Sequence, residues 1–203
     1  MFGRKRLKMS VLSESKLSAH VLSLCFYLGS LIGCLTSRYM VDSEPLRHYV
    51  QRYVSCAVEG IVSYHLVPMI CDTVCIPLLV VLLGVTILGP FGIPCLFFYR
   101  GFCFCLSVSA FVSCFGLAGL LFSFVLLGIS ALIWAPPFLL LGCKGWRCAH
   151  LIAARSFGEQ RGQTRPERAF LVESLFCLLM IVLSAFVEFW MISLLLPVVG
   201  KAL

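Results

Sequence analysis

The sequence predicts an all-α integral membrane protein, a bundle of five transmembrane helices with one extracytoplasmic amphipathic helix. Composition is the first reason: of 203 residues, 61% are hydrophobic and only 12% charged, about half the ~25% charged residues of an ordinary soluble domain. Patterning is the second. Uncharged runs cover 17–37, 73–99, 101–143 and 174–187, and runs of roughly 18 or more apolar residues at ~1.5 Å rise cross a hydrocarbon core ~30 Å thick. The third is the backbone, which has no water to bond inside lipid and must form helices or a closed barrel; the alternation of a barrel strand is missing from these runs. No polar linker or internal repeat divides the chain, so residues 1–203 read as one membrane domain.

Residues 1–16 carry Arg4, Lys5, Arg6, Lys8 and Lys16 ahead of the first apolar run. The run at 17–37 exceeds the ~7 to 15 residues of a cleaved signal and leads into Leu35, Thr36, Ser37 and Arg38, so an uncleaved anchor is expected. Residues 44–64 follow as a surface helix. Leu46, Tyr49, Val50, Tyr53, Val54, Ala57, Val58 and Ile61 recur at helical spacing after Asp42, Ser43, Glu44 and Pro45, which suit a helix start. Opposite that stripe lie Arg47, Gln51 and Arg52, the candidate partner-binding residues.

The stretch from 73 to 142 predicts three spans, 73–99, 101–117 and 119–142. Arg100 marks the first break, and Phe115 to Gly119 is the best turn after it because two glycines loosen a helix there. Gly84, Gly89, Pro90 and Pro94, and later Pro136 with Pro137, predict kinks or unwound turns. A basic loop over 143–169 then leads to a last span, 170–197. With the amino terminus inside, five Lys or Arg before the first run, Arg100 and six in the 143–169 loop put twelve of the sixteen basic residues on the inner side, the asymmetry of a cytoplasmic amino terminus.

The net charge of +7 is explained by this orientation and not by nucleic acid, since no basic patch interleaved with aromatics lies outside the spans. Most of the twelve cysteines sit in apolar runs, where cysteine behaves as a small hydrophobe; Cys56 and Cys71 are the two placed to pair outside the membrane. Neither zinc-type spacing nor a Ser-His-Asp, HExxH, P-loop or GxGxxG constellation occurs in a suitable context, so no catalytic site, metal or cofactor is expected. Glu188, deep in the last span, is the clearest ionisable group at membrane depth, where such groups cost a few kcal/mol unless paired. Arg100, His65 or a backbone amide freed beside a proline would satisfy it, making a polar lock between helices; a proton or substrate relay is the competing role. Arg100 and Glu173 lie near expected span ends, within reach of the interface.

The stretch from Gly84 through Val85, Thr86, Ile87 and Leu88 to Gly89, followed eleven residues later by Arg100 and Gly101, resembles the core of the stage II sporulation protein M family. The basic amino terminus, the anchor ending near Gly33, the outer helix rich in Leu and Tyr, and the segment from Phe122 to Val125 agree in order. So do Pro136 and Phe138 to Gly142, the basic loop, and Glu188 before Pro197. The resemblance runs over about 17–197 and marks Gly84, Gly89, Arg100, Gly101, Pro136 and Glu188 as the residues to watch, with Arg100 standing where the family has lysine. It implies a bacterial cell-membrane protein acting at the septum and engulfing membrane during sporulation. Two peptidoglycan-remodelling partners, stage II sporulation proteins D and P, would supply the hydrolysis. Membrane lipid is the other partner, and self-association is compatible with the sequence. A small permease or transporter subunit is the alternative, suggested by the Gly and Pro breaks and by Glu188.

Overall fold

In a computed structural model, residues 2–40, 66–156 and 167–199 are described. They form α1 (Phe2–Met40), α2 (Leu66–Gly84), α3 (Gly89–Ser123), a π-helical turn (Phe124–Gly128), α4 (Ile129–Ser156) and α5 (Glu167–Val199). Among the described residues there is no strand, so the all-helical class holds. Among the described residues three stretches are long and apolar enough to cross a membrane, Leu17–Ser37, Gly89–Ser113 and Ile129–Ala154; Thr73–Gly84 and Val172–Val187 are shorter apolar helices. The expected outer helix at 44–64, with Arg47, Gln51 and Arg52, lies outside the described residues.

The helix boundaries differ from expectation at three places. Arg100 ends no helix: it lies well inside α3, and the break before it falls at Val85 to Leu88. There short backbone hydrogen bonds, Val85 N to Leu82 O at 3.2 Å and Thr86 N to Leu83 O at 3.0 Å, close a tight turn. Proline in the first turn of α3 then restarts the helix, because its fixed φ suits that position and its missing N–H has no helical acceptor there. Residues 143–156, expected in a loop, continue α4 as helix. The basic residues start before the helix ends, since Lys144 and Arg147 extend polar ends past an apolar span without breaking it. Finally, α2 begins at Leu66, seven residues earlier than the expected 73.

The turn expected between Phe115 and Gly119 coincides with Gly116, the one residue inside α3 with non-helical dihedrals, φ 60 and ψ −133. Only glycine adopts that region at little steric cost. Side-chain pairing shows what it does to the path of the chain. Phe97 stacks on Phe138 at 4.4 Å and Phe104 meets Trp134 at 6.4 Å, so residue numbers rise along one helical segment of the pair while they fall along the other. The chain therefore reverses near Gly116, and the two sides run antiparallel.

α1 runs parallel to the first half of α3. A side chain at Gly29 would strike the Phe98 backbone and one at Gly33 the Phe102 backbone, a step of one helical turn on both partners. Gly84, Gly145 and Phe170 converge at the other helices' shared end, where Lys144 and Glu173 form an ion pair between α4 and α5. The core draws on every helix: Leu22 from α1, Val80 from α2, Ile93 and Phe97 from α3, Trp134, Phe138 and Leu141 from α4, and Cys177 and Ile181 from α5. Large apolar side chains also cover the outside, among them Tyr27, Leu31, Phe91, Leu132, Phe176 and Trp190. Hydroxyls there bond back to their own helices, as Thr36 Oγ1 does to Ile32 O at 2.8 Å and Ser113 Oγ to Ser109 O at 2.7 Å. Such bonds satisfy a hydroxyl without water, which is what an apolar solvent demands.

Candidate functional site

The Gly89–Ser113 stretch of α3 places Arg100 at its middle. This corrects the expectation that Arg100 lies near a span end. The side chain does not have to reach an interface because the bundle supplies an aromatic face for it: its guanidinium carbon lies 4.6 Å from the centroid of the Trp134 ring. A cation over an indole face is attracted by the ring quadrupole, by about 2 kcal/mol or more where both are desolvated. Trp134 is buried at 5% exposure, and three further rings hold it edge-on: Phe26 at 6.5 Å, Phe104 at 6.4 Å and Phe138 at 5.7 Å. Phe97 in turn stacks on Phe138. The indole is thus fixed by α1, α3 and α4 together, and Arg100 is half-buried against it.

Gly101, next to Arg100, explains how α1 comes close enough to contribute Phe26. A side chain at Gly101 would meet the Phe26 carbonyl, and Ser30 Oγ donates to both Phe26 O at 3.0 Å and Gly101 O at 3.3 Å. The other singled-out residues fall elsewhere. Gly84 and Gly89 bracket the turn at the basic end, packed against Gly145 and Ala149. Pro136 is exposed on α4, two residues from Trp134. Glu188 lies in α5, and its side chain is outside the described residues. Glu173 pairs with Lys144, both about half exposed; a solvent-accessible pair of this kind contributes ~0 to 1 kcal/mol. The nearby stack of Trp146 on His150 marks the same end of the bundle.

Sequence reasoning missed two parts of this arrangement. Trp134 was hidden because tryptophan in an apolar run carries no positional signal until its cation partner is known. Gly29 and Gly33 form a G-x-x-x-G pattern, whose small residues let two membrane helices approach backbone to backbone, and that signal was legible. Among the described residues no group of His, Cys, Asp or Glu could hold a metal ion. No family model, curated protein or solved structure matches this chain.

Proposed function

We propose that the chain is a five-span, non-enzymatic membrane scaffold with a cytoplasmic amino terminus, of the kind represented by the stage II sporulation protein M family. In this reading it positions peptidoglycan-remodelling proteins D and P at the septal and engulfing membrane, and those partners carry out hydrolysis. The observation that supports it best is a core to which all five described helices contribute. Such a body is built to hold an outer segment in place. α2 and α5 count as spans here because they pack alongside α3 and α4 in the same core. Without Arg100, eleven of the sixteen basic residues still fall on the proposed inner side, which supports this orientation.

Two measurements test this. On a cysteine-free background, a cysteine at position 161 should resist impermeant maleimide added to intact cells, and labelling from outside would overturn the orientation. Replacing Arg47, Gln51 and Arg52 together should cut recovery of the two partners in crosslinked pull-downs from sporulating cells at least several-fold while the protein level stays normal. Unchanged recovery would remove the partner-binding role from that segment.

A second reading, a small permease, draws support from Arg100 at mid-helix depth, because cations within membrane spans mark substrate and ion paths by default. The π-helical turn Phe124–Gly128 close to the Gly116 reversal adds to it, as such turns recur at functional sites. Substrate-coupled flux into proteoliposomes would favour the permease, and co-purification of partners without flux the scaffold.

A further inference from the structure

The tightest contact in the bundle is the parallel seam of α1 and α3. A Cβ built on Gly33 would lie 3.2 Å from the Cα of Phe102, so the two backbones pass within about 5 Å there, inside the ~4.4 to 6.8 Å between Cα atoms that a disulfide requires. Cys34 follows Gly33 directly, and Cys105 lies one turn beyond Phe102 on the same side of α3. The register agrees independently: Ser30 bonds to Gly101, and stepping one turn along each helix gives Cys34 and Cys105. Their side chains face each other across the seam, and both are free cysteines, Cys34 exposed at the bundle surface and Cys105 partly buried. Lower on the same seam Cys25 faces Cys95.

We propose that Cys34 and Cys105 form a dithiol that closes into a disulfide across the α1–α3 seam, a modification site that staples the first helix to the third. The oxidant is a disulfide reaching the bundle surface, and the chemistry is thiol–disulfide exchange. The exposed Cys34, as thiolate, attacks one sulfur of the donor disulfide, forming a mixed disulfide and releasing the donor's first thiol. Cys105 then attacks the Cys34 sulfur and displaces the second. Two thiols lose two protons and two electrons, and the donor leaves as two thiols. Helix packing has already brought the sulfurs together, so closing the second bond costs little further ordering, whereas a solitary cysteine would retain the donor as an adduct.

The test uses the full native chain in detergent micelles or lipid vesicles, treated with the lipid-soluble donor dipyridyl disulfide, then blocked with maleimide, digested and sequenced by mass spectrometry. The expected product is a linked peptide joining Cys34 to Cys105, with two pyridine thiones released per link and no pyridyl group retained at either position. Cys34→Ser should leave Cys105 carrying a pyridyl adduct or unreacted. Cys34→Ala combined with Leu35→Cys, which moves the thiol to an exposed position off the seam, should lower linkage to Cys105 at least ten-fold. Folding is checked in each variant by an unchanged elution volume. Stable adducts on both cysteines of the native chain would overturn the proposal, as would linkage of Cys105 through the off-seam thiol with equal yield.

Discussion

Replacing Gly33 with leucine should destabilise the bundle by forcing α1 away from α3. The atoms that a side chain there would meet are backbone, the Phe102 carbonyl oxygen at 2.6 Å and its Cα at 3.2 Å, and backbone cannot rotate away as a side chain can. Overpacking of a tight contact typically costs about 1 to 3 kcal/mol, and a backbone clash belongs at the upper end. Separation of α1 from α3 would also withdraw Phe26 from Trp134 and break the Ser30 bond to Gly101, so the damage spreads into the Arg100 site. Gly128→Ala is the control, because an added methyl there meets only the Phe124 ring at ordinary contact distance and alanine favours helix over glycine. Reversible unfolding in mixed micelles should show Gly33→Leu shifted by roughly 3 kcal/mol and Gly128→Ala close to native. Equal stability of the two variants would mean that the helices do not meet at Gly33.

Trp134→Ala carries an effect at least as large. Truncating a buried tryptophan typically costs about 3 to 5 kcal/mol, and this one also leaves the Arg100 cation without its aromatic face. The two contributions separate in a double-mutant cycle with Arg100→Met, which keeps a long flexible chain while removing the charge. If the cation–π contact is made in a desolvated setting, the coupling energy should be at least ~1 kcal/mol. Trp134→Phe should retain part of it, since a smaller ring keeps a negative face. Additive effects within about 0.3 kcal/mol would show that Arg100 and Trp134 act independently.

Much of the fold was legible because an apolar solvent leaves so few choices. Uncharged runs of span length in α1, α3 and α4 lead to helices by elimination, and Gly116 was readable as a turn because two glycines close together weaken a helix where no side chain compensates. The break at Val85 to Leu88 was readable in principle from Gly84, Gly89 and Pro90. A charge at Arg100 outweighed them in the reading, on the premise that a cation must reach the interface. That premise fails where an aromatic ring from elsewhere in the chain takes the place of water.

The sequence by itself determined the class of structure: long apolar helices, a basic end, a turn at Gly116, and a G-x-x-x-G surface on α1. These follow from composition and local spacing, which act within a few turns of helix. Which helix that glycine surface meets, that it meets it in parallel, that Arg100 sits over Trp134 and that Cys34 comes opposite Cys105 were decided only by tertiary structure. The physical reason is that in a uniformly apolar bundle every helix face is soluble in lipid. Hydrophobicity therefore cannot choose partners, and the choice falls to shape, to close backbone approach and to a few buried polar contacts between residues about 35 to 70 positions apart, distances over which no sequence pattern reports.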